Sequence, residues 1–138
     1  VPGEGPRPAR SGCQDHVGYE IERGGENGCA RCVLRVGPEH LNRHGILHGG
    51  VAAMLLDVAC GNTAGAMFDA GDPPLVLTVS LSTQFVAPAR AGQVVATGRP
   101  AGGGARLAYV TGELRDDRDR LIATAAGVFK RGPKDRAG

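Results

Sequence analysis

A single carboxylate interrupts the most apolar stretch of the chain. Asp57 stands within Met54-Leu55-Leu56-Asp57-Val58-Ala59, so that a helix through this segment gives it apolar neighbours on every face. Such a carboxylate is costly to desolvate unless a partner or a reaction uses it. The same setting tunes acids and bases for proton transfer. One reading of Asp57 is structural, as an acceptor for a nearby backbone amide or an Arg. The other is chemical, and the residues just upstream favour it. His48-Gly49-Gly50 opens the same stretch. Free N–H groups at a helix start, reinforced by the helix dipole, are suited to a developing oxyanion. Glycines at 49 and 50 would let a substrate approach that backbone closely. A Gly-Gly pair alone reads as a turn before a helix; beside Asp57 it reads as the carbonyl-polarising part of a site.

The spacing limits how these parts can cooperate. Eight residues separate Gly49 from Asp57, which on an α-helix is about 12 Å along the axis. No single carbonyl can touch both. If both act on one substrate they come from two helices, which predicts a site shared between antiparallel helices of a dimer.

The elements that must position these residues follow from pattern and punctuation. Residues 16–23 and 29–36 have strand character and flank Gly24-Gly25-Glu26-Asn27-Gly28, a turn signal, which predicts a hairpin. Residues 37–47 read as loop, and residues 49–68, apolar on nearly every side, as the one long helix. From residue 75 the period becomes two. Leu75, Leu77, Val79, Leu81 and Phe85 alternate with Thr78, Ser80, Ser82 and Gln84, as in a half-buried strand. Strands at 93–99, 106–115 and 121–130 follow, the last two joined by the charged turn Asp116-Asp117-Arg118-Asp119-Arg120. Short turns imply antiparallel pairing, and a helix apolar all round needs a large cover. The economical solution is an α+β domain with an antiparallel sheet wrapped around one central helix, the hotdog architecture. Length fits one domain, here residues 13–131, with Pro- and Gly-rich flexible tails at 1–12 and 132–138.

The run LNRHGILHGGVAAMLLDVA resembles the active-site segment of the phenylacetate-pathway (PaaI-type) branch of hotdog acyl-CoA thioesterases. That pattern is an Asn, five residues, His-Gly-Gly, then an acidic residue nine past the His, met here by Asn42, His48, Gly49 and Asp57. The stretches LTVSLSTQFVAPARAGQ, GRPAGGGARLAYVTGELRD and LIATAAGVFK are similar to the same branch, so that the likeness covers residues 16–131. The resemblance implies hydrolysis of acyl-CoA to free acid and coenzyme A without metal or organic cofactor. Asp57 would be nucleophile or general base and the Gly49 amide the donor to the thioester oxygen, with Asn42 and His48 in support. It also implies a hydroxyl near the start of the long strand, here Thr78, and a homodimer that assembles into a homotetramer. Each supporting residue has a plainer reading. Thr78 would otherwise be an outward strand residue, His48 a local backbone partner and Asn42 a turn residue. Coenzyme A carries phosphates, so Arg90, Arg106, Lys130 and Arg131 are weighed as its partners against simple surface charge. Gly50 lies beside the oxyanion donor, and Ser82 and the Gly102–Gly104 turn could flank the pantetheine arm.

Other classes of function are disfavoured. A net charge of +2, no Trp, two Tyr and three Phe leave neither a basic stripe nor stacking platforms for nucleic acid. A membrane span is opposed by Asp57, Asn62, Thr63 and four glycines within the helix. Four cysteines in a chain of this size read as free thiols, and with no export signal the expectation is cytoplasmic. His40, His44 and His48 are spaced by four, but Gly45 and Pro38 oppose a helix that would align them as metal ligands. Cys29 and Cys32, three apart in a strand, would point to opposite faces. A non-catalytic acyl-CoA-binding module lacks a reason for Asp57 in this context. A hydroxyacyl dehydratase would pair its His and acid in a different motif.

Overall fold

A computed structural model describes residues 10–133, and the terminal stretches 1–9 and 134–138 read above as tails lie outside the described residues. Helices α1 (Gly12–Val17) and α2 (Gly49–Phe68) accompany strands β1 (Glu20–Glu22), β2 (Arg31–Val36), β3 (Val76–Phe85), β4 (Gly92–Gly103), β5 (Leu107–Asp116) and β6 (Leu121–Arg131). The strands form one antiparallel sheet of order β1-β2-β4-β5-β6-β3. The sheet curls over α2, as the sequence predicts. Arg10, inside the segment read as a tail, is tied down by Asp15 at 2.6 Å and Glu20 at 2.7 Å. At the other end the Gly132 N–H donates to the Leu75 carbonyl at 2.7 Å.

The first hairpin differs from its predicted form. Residues 16 and 17 end a helix rather than begin a strand. Ser11 Oγ accepts from the Gln14 N–H at 3.0 Å as N-cap. Gly18 stops the helix at φ 91°, a left-handed conformation that glycine adopts without steric cost. These capping signals outweigh the short strand-like pattern, and β1 shrinks to three residues. Residues 29 and 30 precede β2, which begins at Arg31, and β4 continues to Gly103, four residues beyond Arg99.

Helix α2 has the length and apolar content of a bilayer span. Here it lies on the sheet, with Leu55, Leu56, Ala59, Cys60 and Thr63 fully buried. Two facing glycines bring the helix close, for Gly98 of β4 pairs with Gly112 of β5. A Cβ on Gly98 would meet Thr63 Oγ1 at 2.6 Å, and one on Gly112 would meet Cys60 Sγ at 2.7 Å. Neither position has room for a side chain. Thr63 Oγ1 accepts from the Ala30 N–H at 2.9 Å and donates to the Ala59 carbonyl at 2.9 Å, fastening the start of β2 to the helix.

The cover is not complete. Val51, Ala53, Met54, Asp57, Val58, Gly61 and Asn62 are only half-buried, so one face of an apolar helix stays open. Asp57 is therefore not the buried carboxylate that its neighbours predict; the sheet reaches around only part of the helix. The long strand departs from its expected face as well. Leu77 pairs with Lys130 and Thr78 with the fully buried Phe129, after which a bulge at Val79 lets Ser80 pair with Val128. A bulge exchanges the faces of all residues beyond it. Leu81 thus packs into the core while Leu77 is 47% and Val79 59% exposed. The alternating apolar positions do not line one face.

Candidate active site

The bulge decides the environment of Thr78. The residue shares the helix-facing side of the sheet with Phe129, and its Oγ1 donates to Asp57 Oδ1 at 2.8 Å. Two residues twenty-one apart, one on α2 and one on β3, meet as a hydroxyl–carboxylate pair. The donated hydrogen bond occupies one carboxylate oxygen and orients the group. Both residues line a cavity of about 370 Å³ over the open face of α2. Its walls come from Gly61, Gly65 and Ala66 of the helix, from Gly28 and Ala30 before β2, and from Pro73 to Leu75 before β3 with Val76 at its start. Small residues create the space: a Cβ on Gly65 would already meet Pro73 Cβ at 3.4 Å.

Arg23 and Asn62 border the same cavity. Asn62 Nδ2 donates to the Val58 carbonyl at 2.8 Å, and its Oδ1 accepts from Arg23 Nε at 2.9 Å. Sequence reasoning weighed Asn62 only as a polar break in an apolar helix and left Arg23 unremarked. The available signal was that Asn62 lies five residues past Asp57, about 7.5 Å farther along the axis.

The start of α2 forms a separate region. His48 caps the helix with its ring: Nδ1 accepts from the Gly50 N–H at 2.8 Å. A neutral ring that accepts at Nδ1 carries its proton on Nε2. The Gly50 amide is consumed by this cap, while the Gly49 N–H has no acceptor among the described residues. Gly49 borders a second cavity, of about 350 Å³, with Leu47, Ala52, Phe85 and Ile122. Neither Asp57 nor Thr78 lines it. Within one chain the donor and the carboxylate belong to different cavities.

Asn42 organises the loop before His48. Its Oδ1 accepts from the His44 N–H at 2.9 Å and the Ile46 N–H at 3.2 Å, and its backbone N–H donates to the Ile46 carbonyl at 2.8 Å. The loop is docked by the Leu47 N–H on the Ala89 carbonyl at 2.7 Å and the His48 N–H on the His40 carbonyl at 2.8 Å. His40 is buried, accepting from the Gly37 N–H at Nδ1 and bonding the Val17 carbonyl through Nε2 at 2.6 Å. Two of the three evenly spaced histidines are thus engaged by backbone. No group of three or more His, Cys, Asp or Glu suited to a metal occurs among the described residues. Cys13, Cys29, Cys32 and Cys60 are free thiols. Cys60, three residues past Asp57, is no competing nucleophile, because burial pushes its thiol up to about 12.

The residues weighed for coenzyme A divide. Gly103, Arg106, Lys130 and Arg131 gather at the β4–β5 turn and the end of β6. The Arg131 N–H donates to the Arg106 carbonyl at 2.9 Å, and its guanidinium lies 5.8 Å from the centre of the Phe68 ring. Gly103 has φ 147° and a Cβ there would meet the Leu107 carbonyl oxygen at 2.6 Å, so only glycine closes this turn. Lys130 pairs with Leu77 on the outer face of the sheet. Ser82 is on that outer face too, the side away from Thr78. Arg90 borders a different hollow, beside Asp117 and Arg118.

Comparison with known proteins places this arrangement. The profile of the Thioesterase superfamily matches residues 44–123, from the loop before His48 into β6. A Pseudomonas aeruginosa protein named "Putative esterase PA0474" is 36% identical over 99 residues, covering 70% of this chain and 71% of its own. The crystal structure of AziG from S. sahachiroi superposes with a TM-score of 0.77 at 30% identity, over 88% of this chain and 96% of that one. The PaaI protein of E. coli, from the phenylacetic acid degradation operon, shares the fold with a TM-score of 0.75 at 21% identity, over 90% and 86% of the two chains. A sheet curled over one long helix, matched across more than half its length by this profile, makes the chain a hotdog-fold member of the thioesterase superfamily.

Proposed function

We propose that the protein hydrolyses acyl-CoA thioesters to the free acid and coenzyme A, as a PaaI-type enzyme whose site is completed by a second copy of the chain. The observation that carries this reading is the Thr78–Asp57 pair at 2.8 Å beside a cavity, with a Gly49 amide that has no acceptor among the described residues at the start of the same helix. Edge strand β3 suggests how the halves meet. It is ten residues long, and Leu77, Val79 and Phe85 on it are exposed. Such an edge invites pairing with another chain. Gly49 lies beside Phe85 and Asp57 beside Thr78. If two β3 strands pair antiparallel about a two-fold axis between Leu81 and Ser82, Thr78 of one copy falls opposite Phe85 of the other. The carboxylate of each copy then approaches the helix start of its partner. The open face of α2 favours the same contact. Leu107 and Tyr109, exposed on the same outer face with β6 between them and Leu77, favour that face for joining two dimers into a tetramer.

Two routes fit these groups. In one, Asp57 removes a proton from water, whose oxygen attacks the thioester carbonyl carbon. The negative oxygen that forms is stabilised by the Gly49 N–H, and the C–S bond breaks to release coenzyme A, which recovers the proton. In the other, Asp57 attacks directly, expels the thiolate and forms an anhydride that water cleaves. Thr78 serves both by holding Oδ1 and leaving Oδ2 to react. His48 fixes the first turn through Gly50, and Asn42 shapes the loop that presents His48. Arg106, Lys130, Arg131 and the Gly103 turn would meet the phosphates and arm of coenzyme A, with Gly50 and Ser82 in lesser contact. No metal or organic cofactor is required, and the free thiols suit a cytoplasmic enzyme.

Free-thiol release from aromatic, short, medium and long acyl-CoAs tests the reading. Turnover of at least one that is lost in Asp57→Asn is expected. No release from any would leave a non-catalytic acyl-CoA-binding module in its place. Full activity of a monomer would overturn the shared site.

A further inference from the structure

The cavity beside Asp57 has a second polar end that hydrolysis does not explain. Arg23, from the turn after β1, is drawn over the open face of α2 by its Nε bond to Asn62, which is itself anchored on the Val58 carbonyl. Arg10, Arg31, Arg115 and Arg120 are paired with carboxylates, and other described arginines have no ion pair, but Arg23 alone among the described arginines is bonded by its side chain to an amide that borders this cavity. Arg23 is held instead by a neutral amide. No carboxylate among the described residues lies within ion-pair distance of it, and its two terminal nitrogens have no acceptors there. A long flexible side chain fixed by one edge of its fork presents the other nitrogens in a set direction, a geometry suited to a carboxylate.

From this arrangement we infer that the cavity selects acyl groups that end in a carboxylate, with Arg23 as the specificity-determining residue. The inference rests on the acyl-CoA hydrolysis proposed above and names its substrate class. Asn62 lies five residues past Asp57, about 7.5 Å along the helix. With C–C bonds near 1.5 Å, each advancing an extended chain by about 1.25 Å, that distance fits an acyl group of about six or seven carbons, the thioester carbonyl and terminal carboxylate carbons included. On the helix between the two ends the cavity is lined by Val58 and Gly61, which offer no side-chain hydrogen bond to a methylene chain, while Gly65 and Ala66 widen it beyond Asn62. The residues proposed for the coenzyme's phosphates belong to the β4–β5 turn and the end of β6. Arg23 instead follows edge strand β1, with β2 between it and β4.

The test compares two probes of equal chain length, adipoyl-CoA and hexanoyl-CoA, by thiol release from the full chain. The wild-type protein should favour adipoyl-CoA in kcat/KM by about tenfold or more, since a neutral methyl end leaves the guanidinium unmet. Arg23→Met should bring that ratio near one. Arg23→Glu should reverse it, so that 6-aminohexanoyl-CoA becomes the better substrate. Asn62→Ala, which releases the Arg23 side chain, should narrow the ratio while leaving Arg23 in place. A wild-type ratio near one overturns the inference. An unchanged ratio in Arg23→Met does the same, since both probes would then lose equally, as expected if Arg23 held the coenzyme. Hydrolysis of other acyl-CoAs by the same preparation would leave the thioesterase reading intact in either case. Failure on every acyl-CoA would instead remove that reading, and this inference with it.

Discussion

At its start, helix α2 offers chemistry through its backbone; two turns later it does so through a side chain. The Gly49 amide is placed by the helix itself, and the ring of His48 has already taken the neighbouring Gly50 amide. Asp57 depends on another element, since its orienting partner Thr78 comes from β3, twenty-one residues away. The two regions border different cavities. The first end is local and would survive in any helix with this cap, whereas the second exists only if β3 bulges at Val79. The comparison teaches that an apolar helix can carry both halves of a site while keeping them too far apart to work within one chain.

The most severe way to break the comparison is at its carboxylate. Asp57→Asn keeps the shape and the Thr78 contact but removes the base or nucleophile. Its kcat should fall by about 10²–10⁴, with KM little changed, in steady-state thiol-release kinetics. The backbone end can be tested nearly as sharply. Gly49 is the first helical residue, and His48 before it has φ −60° and ψ 133°, which a following proline accepts. Gly49→Pro should therefore keep the helix start and delete the N–H, with its ring seated against Phe85, costing about 10²–10³ in kcat. A purified heterodimer of Asp57→Asn with Gly49→Pro sharpens the point. It should recover about half the wild-type activity, because one of its two shared sites has both groups intact. Sites contained within single chains would show no recovery.

Smaller effects separate orientation from chemistry. Thr78→Val removes the hydrogen bond to Asp57 and should lower kcat by about tenfold, whereas Thr78→Ser should retain most activity. A Thr78→Val enzyme as fast as wild type would make the contact incidental. Asn42→Ala leaves the His44 and Ile46 amides without their side-chain acceptor. It should reduce stability by about 1 kcal/mol in chemical denaturation, with activity falling only as the loop loosens.

Much of this was legible in the residues. The helix boundaries followed from the Gly-Gly start and the unbroken apolar run to Phe68, and the four later strands from their turns. Asp57 and Gly49 stood out because their types were costly or permissive where they occurred. Thr78 did not, because strict alternation placed it on the polar side of its strand. One extra residue in the β3–β6 register turned it toward the helix. Arg23 escaped notice because nothing in a turn of Gly, Glu and Asn says which way a long side chain will lie.

The sequence by itself determined the parts: an apolar helix with one carboxylate, a helix start with close backbone access, and an antiparallel sheet to cover them. These are properties of local periodicity, capping and residue cost, which act over a few neighbouring residues. Only the tertiary structure decided which parts meet. The bulge at Val79 joined Thr78 to Asp57, and the Arg23–Asn62 bond drew a charge to the far end of the same cavity. The incomplete wrap of the sheet left one face of α2 open. Such contacts depend on register and on the curl of the sheet, which long-range packing sets and no short stretch of residues encodes.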